Sequence, residues 1–334
     1  MQPYTPAHQI IVIGASTGGL QALRELLGHF PNDLNASVFI TMHIGGNASS
    51  LPHILAKDTS LGIGFAEPHE KIINGRIYVA PPDRHLLIEN DVIQVVRSAK
   101  ENHARPAIDP MFRSAAISHR NMVIGVILTG EMDDGIVGLQ AVKVYGGLAL
   151  VQDPATAEAP SMPESALRHV EVDACRSVAE LGKIIVQTVQ ERAAVGTALS
   201  MHSRIEPFAT ENELTFDLSA GAPNAVSQVG AASGMSCPEC GGALWEIGAS
   251  PPRYRCHTGH SYTAAALFQS QNKTMEDALW VAIRALHEKQ TLLDQLAERS
   301  KCNGRSKAVD EYELAREELN SHSAVLRELI ANLR

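Results

Sequence analysis

Aromatic side chains are scarce in this sequence: Phe, Trp and Tyr together make up 4% of 334 residues. A core must therefore be built mainly from Val, Ile, Leu and Ala, within a hydrophobic content of 45%. Long apolar runs are also lacking. No stretch approaches the roughly 20 residues a helix needs to cross a bilayer, so direct membrane insertion is not expected. Basic charge is in deficit as well. The formal net charge is −9, which opposes a general nucleic-acid surface, where Lys and Arg must cluster against phosphate, and a polybasic membrane patch. Met1 to His8 are polar, with no basic segment and no cleavage pattern; no export signal is visible and a cytoplasmic location is expected. There are five cysteines. An odd number without an export signal is a poor basis for disulfides, and three of them fall within twenty residues, which points to a metal.

What is present is an alternation of strand-like and helix-like segments. Ile10–Ile13, Ser37–Met42, Arg76–Ala80, Val92–Val96, Met122–Leu128 and Leu148–Gln152 read as strands. Leu20–Phe30, Met111–His119, Gly138–Tyr145, Pro163–Val170 and Ala179–Val195 read as helices, with apolar residues at helical spacing. Met122–Leu128 is almost continuously apolar, as a strand covered on both faces should be. This order predicts an α/β fold, a doubly wound and mostly parallel sheet, over residues 9–195. Chemistry in such sheets gathers at the carboxyl ends of strands. Residues 200–235 turn to Ala, Ser, Gly, Asn and Thr and are expected to be a flexible linker. Residues 236–268 hold the cysteine cluster, and residues 273–334 carry two amphipathic helices around the turn signal Asn303-Gly304.

Gly14-Ala15-Ser16-Thr17-Gly18 follows the first strand and opens a helix, matching G-x-S-x-G. Small residues permit a tight strand-to-helix turn that leaves a serine hydroxyl exposed, and amides of Ser16 and Thr17 are candidate oxyanion donors. The pattern also suits a plain phosphate-binding turn. It lacks both the dinucleotide glycine spacing and the Gly-Lys-Ser/Thr ending of a phosphate loop. A nucleophilic serine needs a base and the base an orienting acid. His43 stands at the end of the second strand, and Asp133 and Asp134 follow the apolar strand before Gly135. Three strand ends offering Ser, His and Asp carry more weight than any one alone.

Residues 9–190 resemble the catalytic domain of bacterial chemotaxis protein-glutamate methylesterases. The resemblance rests on IVIGASTGG at 11–19, ITMH at 40–43, GRIYVAPPDRHLL at 75–87, RPAIDPMFRSAA at 105–116, VIGVILTG at 123–130, DDGIVGL at 133–139 and MPESA at 162–166. It implies a Ser16–His43–Asp134 triad, hydrolysis of glutamyl methyl esters on chemoreceptor-type proteins with glutamine deamidation as a second activity, and no cofactor for catalysis. The match at Gly135 favours Asp134 over Asp133 as the acid. Ile-Gly-Gly-Asn-Ala after His43 and Glu131-Met132-Asp133 before Asp134 depart from the best-known members. Both loops should border the substrate. Members of this family usually carry an N-terminal receiver domain switched by phosphorylation; with the Ser16 strand starting near residue 10, none is expected here. His85 reads as a loop histidine in a Pro-stiffened turn. Arg105 and Arg113 read either as steering groups for an acidic receptor helix or as solvated surface residues.

Cys237-Pro-Glu-Cys240-Gly-Gly and Cys256-His-Thr-Gly-His260 form the second motif. Two thiolates on a tight turn, completed by a second pair, suit tetrahedral Zn²⁺. The expected ligands are Cys237, Cys240, Cys256 and His260, since His257 is too close to Cys256 for joint chelation. Four protein ligands close the shell, so the metal would be structural. Trp245, Tyr254, Tyr262 and Phe268 are expected to pack around it. The terminal helices read as an antiparallel hairpin packing on itself, with a homodimer or a receptor-docking surface as the sharper alternative. An interaction protein of weak catalytic power, acting through the zinc–helix tail, and a nucleotide-binding domain using the Gly14–Gly19 turn are the competing functions.

Overall fold

A computed structural model of the chain describes residues 9–195, 206–216, 226–227, 230–248 and 252–332. It comprises two units, Met1–Ala266 and Leu267–Arg334. In the first, β1 (Ile10–Ala15), α1 (Gly19–Leu27), β2 (Ser37–Met42), α2 (Leu51–Leu55), β3 (Gly62–Phe65), β4 (Arg76–Val79), β5 (His85–Glu89) and β6 (Val92–Val96) precede α3 (Ile108–His119). Then come β7 (Val123–Ile127), α4 (Ile136–Val144), β8 (Leu148–Gln152), α5 (Ser161–His169), β9 (Ala174–Arg176) and α6 (Val178–Val195).

Seven strands form one sheet in the order β3-β4-β2-β1-β7-β8-β9. Every pair in it is parallel. Each strand needs a crossover, and the helices that make the crossovers cover both faces. The side chains of β1 show the result: Ile10 and Val12 enter one apolar cluster with α3 and α4, while Ile11 and Ile13 enter the other with α1 and α6. The chain builds outward from β1 through β2, then crosses to β7 on the other side. The switch point therefore lies between β1 and β7, where the carboxyl ends open a crevice.

Two expectations are corrected. Val92–Val96 belongs to no large sheet; it pairs antiparallel with β5 in a separate hairpin. Residues 206–216, within the stretch read as linker, form helix α7 (Glu206–Phe216). Its composition gives little helical periodicity, yet Leu214 and Thr215 are buried and Phe208 packs on the main core. The end of that stretch is also structured, as part of the strand Ala231–Ser236; residues 200–205, 217–225 and 228–229 lie outside the described residues.

The cysteine region is a four-stranded antiparallel sheet of β10 (Ala231–Ser236), β11 (Ala243–Ile247), β12 (Arg253–Cys256) and β13 (Ser261–Thr263). It joins the domain of the seven-stranded sheet through the loop at residues 98–104: Asn102 N–H donates to the Ser261 carbonyl at 2.8 Å and Ser261 N–H to that of Lys100 at 3.3 Å. Beneath lies a buried ionic cluster. Glu101 accepts from Arg113 at 3.1 Å and Thr215 at 2.7 Å, and also from Arg255; Glu211 accepts from Arg253 at 2.8 Å. Charges so buried persist only when paired, and Arg113 and Arg255 together hold the Glu101 carboxyl below its usual range against the opposing effect of burial.

The second unit is an antiparallel hairpin of α8 (Ala264–Cys302), whose first turn lies in the first unit, and α9 (Ser306–Asn332). Gln290 bonds Asn320 at 2.8 Å and Arg316 bonds Asp294 at 3.0 Å along it. Among the described residues no helix is long and apolar enough to cross a membrane.

Candidate active site and metal centre

The G-x-S-x-G turn has a steric reason for its glycines. At Gly14 a Cβ would stand 2.5 Å from a methyl of Ile108, and Gly18 has φ +74° with Glu158 Cβ 2.6 Å from where its own would be. The turn thus presses against α3 and the residues before α5, and leaves Ser16 half-buried at the end of β1. Ser16 N–H donates to the Thr129 carbonyl at 3.0 Å, so it is engaged in fixing the turn to the end of β7 and is not available as an oxyanion donor. Thr17 N–H carries no backbone hydrogen bond among the described residues.

The three carboxyl ends converge. His43 Nδ1 lies 3.1 Å from Ser16 Oγ, and His43 Nε2 lies 2.7 Å from Asp134 Oδ2. With Asp134 ionised, Nε2 carries the proton and Nδ1 is left to accept from the serine. The nitrogens thus have the reverse roles of those in the chymotrypsin-type triad. Asp133 faces elsewhere and accepts from Thr263 Oγ1 at 2.7 Å.

Asp134 is held by four donors. Besides His43, Oδ2 accepts from Ile108 N–H at 2.6 Å, and Oδ1 from Asp109 N–H at 3.3 Å and Asn102 Nδ2 at 3.0 Å. Two of these are the first amides of α3, which have no partner inside the helix and carry the positive end of its dipole. Burial alone would raise the Asp134 carboxyl; the bonds from His43, Ile108 and Asn102 outweigh it and lower it. Asp109 next to it moves the opposite way: burial and the charge of Asp134 push it well above the usual carboxylate range.

A cavity of about 360 Å³ opens beside the triad, bordered by His43, Gly45, Asp83, Asn102, Arg105 and Met132. Both departing loops line it. Arg105 is tied to Asp83 at 2.6 Å and to the Ser98 carbonyl at 2.6 Å. Arg113 is fully buried in the ionic cluster. Neither is a free surface cation. His85, expected in a loop, starts β5 in the core: its Nδ1 accepts from Ala107 N–H at 3.2 Å and its Nε2 donates to the Ala99 carbonyl at 3.0 Å. Burial lowers its proton affinity, and as a neutral ring it pins both ends of the loop carrying Asn102.

The four sulfur and nitrogen ligands expected from the sequence also meet, all within 4.8 Å of one another. Cys240 Sγ lies 3.7 Å from Cys256 Sγ, and His260 Nδ1 lies 3.7 Å from Cys237 Sγ and 3.6 Å from Cys256 Sγ. Tetrahedral zinc with bonds of about 2.3 Å to sulfur and about 2.0 Å to nitrogen has edges of about 3.5–3.8 Å, so the donor set fits the ion. The Cys256 thiol is lowered to about 7, chiefly by its bond with Cys237. Glu239 Oε2 stands 3.4 Å from His260 Nε2, the place where a ligating imidazole finds its supporting carboxylate. Tyr262 packs at the site with its hydroxyl 3.3 Å from Cys237 Sγ. Phe268 lies in the second unit and is exposed, and Trp245 packs with Leu214, Val226 and Ile247.

Sequence reasoning missed Asn102 and Glu101. Nothing in Glu-Asn-His-Ala marks a buried pair. Asn102 has a φ of +49°, a conformation Asn tolerates better than most residues.

Fold and site together define a class: parallel α/β proteins that align hydroxyl, imidazole and carboxylate at the carboxyl edge, an arrangement suited to acyl transfer from esters and amides. Comparison with known proteins gives the family. The CheB methylesterase family matches residues 11–185. A Leptospira interrogans protein provisionally named protein-glutamate methylesterase/protein-glutamine glutaminase is 39% identical over 185 residues, 55% of this chain and 96% of the relative. Protein-glutamate methylesterase/protein-glutamine glutaminase 2 of Pseudomonas aeruginosa is 37% identical over 201 residues, 58% of this chain, which spans only 56% of that relative's length. The Thermotoga maritima CheB methylesterase catalytic domain superposes with a TM-score of 0.53 at 30% identity, covering 55% of this chain and 99% of that domain. The chain belongs to the CheB methylesterase family, and it is a hydrolase of that family.

Proposed function

We propose that this chain hydrolyses γ-glutamyl methyl esters on chemoreceptor-type proteins through Ser16, His43 and Asp134. The observation that carries the reading is the unbroken Ser16–His43–Asp134 hydrogen-bond relay, at 3.1 and 2.7 Å, beside a cavity bordered by the two departing loops. Ser16 Oγ attacks the ester carbonyl while His43 Nδ1 takes its proton. That proton then goes to departing methanol, and His43 activates the water that frees the glutamate carboxylate. Asp134 keeps the imidazole proton on Nε2 and stabilises the imidazolium. Thr17 N–H is the candidate oxyanion donor. A primary amide differs only in releasing ammonia, so glutamine deamidation falls within the same chemistry.

The proposal extends to the metal and the setting. Cys237, Cys240, Cys256 and His260 would hold structural Zn²⁺, whose binding energy would supplement a small apolar core. A methylated receptor facing the cytoplasm is the proposed partner. The exposed Trp280, Val281, Leu292 and Val325 of the hairpin favour a homodimer as the second use of that unit, checked by sedimentation of the full chain.

A fluorophosphonate separates an enzyme from a catalytically weak interaction protein. Stoichiometric labelling that Ser16→Ala abolishes supports the proposal. Absence of Ser16-dependent labelling would transfer the function to the metal–helix tail.

A further inference from the structure

The triad's acid is not held by the catalytic domain alone. Asn102 Nδ2 donates to Asp134 Oδ1 at 3.0 Å and to Asp109 Oδ2 at 2.9 Å. Its Oδ1 accepts from Thr263 N–H at 3.0 Å, and its own N–H donates to the Ser261 carbonyl at 2.8 Å. Thr263 and Ser261 belong to β13 of the cysteine module. A backbone N–H can only donate, so Thr263 fixes which end of the Asn102 amide is oxygen. The NH₂ then faces the carboxyl groups of Asp134 and Asp109. Turned the other way, the amide would set oxygen against carboxylate and N–H against N–H.

β13 begins one residue after His260. Its register follows from the turn between Cys256 and His260, in which Cys256 N–H donates to the His260 carbonyl at 3.0 Å. Cys256 and His260 are two of the four clustered ligands. The module makes a second contact, with the loop that carries Asp134, where Thr263 Oγ1 donates to Asp133 at 2.7 Å. A path of direct bonds thus runs from the ligand cluster through β13 and Asn102 to Asp134.

We propose that the cysteine module completes the active site, with Asn102 as the positioning residue for Asp134 and metal ligation at Cys237, Cys240, Cys256 and His260 as the condition that holds Asn102 in place. This rests on the triad reading above. Loss of the metal frees β13, Asn102 loses the acceptor and donor contacts that orient it, and Asp134 retains His43 with one donor fewer.

The test uses the full chain. Asn102→Ala removes a hydrogen bond to a charged group and should lower kcat about tenfold to a hundredfold with KM little changed. The acid limb of kcat/KM should move to higher pH, because Asp134 loses a donor that keeps its carboxylate low. Metal removal by a chelator, verified by elemental analysis, should reproduce both effects in the wild type and add nothing in Asn102→Ala, since two breaks in one path are not additive. Cys240→Ser, at the exposed ligand, is a second route to a weakened site should the chelator disturb the whole fold. The readout independent of turnover is the downfield NMR proton on His43 Nε2, followed in Ser16→Ala; it should shift on metal removal even if no ester proves to be a substrate. An unshifted proton after verified metal loss, wild-type kcat in the metal-free chain, or an unmoved acid limb in Asn102→Ala would each overturn the proposal.

Discussion

Replacing Asp134 by Asn keeps the volume and removes one charge, and the structure says why this cannot be conservative. All four groups around the carboxylate are donors: His43 Nε2, Ile108 N–H, Asp109 N–H and Asn102 Nδ2. An amide supplies one oxygen and one NH₂. With the NH₂ toward His43, it also meets Ile108 N–H, and the imidazole must present a lone pair at Nε2 and its proton at Nδ1. That proton then points at Ser16 Oγ, and His43 can no longer act as a base. With the oxygen toward His43 the tautomer survives, but the NH₂ faces Asn102 and Asp109 N–H, and the negative charge that stabilises imidazolium is gone. Either orientation leaves a buried donor unsatisfied, at about 1–3 kcal/mol. The expected outcome is a fall of about 10³–10⁴ in kcat, the scale of a wrong-tautomer triad. Stopped-time measurement of methanol release from methylated receptor helices, beside a thermal melt, would show it. A variant within tenfold of wild type would refute the role given to Asp134.

Three further outcomes follow from the same contacts. Glu101→Gln leaves Arg113 and Arg255 buried with one fewer anion, and should cost about 3–5 kcal/mol at pH 7. The folded pKa of Glu101 lies below its unfolded value, so its contribution is fully present above about pH 4.3 and is lost as pH falls through the folded value; denaturant melts across pH should show the variant and wild type converging in acid. Purified chain should contain one zinc, and Cys256→Ala should lose it and become sensitive to proteolysis within residues 230–266; full metal occupancy in the variant would refute the ligand set. Gly18→Ala forces a Cβ onto a residue at φ +74° and 2.6 Å from Glu158, so a loss of about 1–2 kcal/mol is expected, with a lower kcat because Ser16 stands two residues away; an unchanged melt would refute the strain.

Much of this was legible in the sequence where the signal is local. β1, β2, β7 and β8 announce themselves as apolar runs because both of their faces are covered; Ser16 and His43 stand directly after β1 and β2, and Asp134 in the loop that follows β7. The cysteine ligands carry their spacing with them. β3 was missed because Gly-Ile-Gly-Phe is short, glycine-rich and only partly covered at the sheet edge. Val92–Val96 has the composition of any strand, and composition does not tell which partner it will find. α7 was hidden because an ionic contact, not an apolar stripe, fixes part of it: Glu211 belongs to Arg253 and Thr215 to Glu101, partners 42 and 114 residues away. Asn102 had no signal at all. Its role exists only once β13, 161 residues further along, donates Thr263 N–H to it.

The most direct measurement is methanol release from methylated chemoreceptor membranes by the full chain and by Ser16→Ala. Release by the wild type that falls to background in the variant is the predicted result. Equal release by both would contradict the account, because no other nucleophile has been assigned to the carboxyl edge of the sheet.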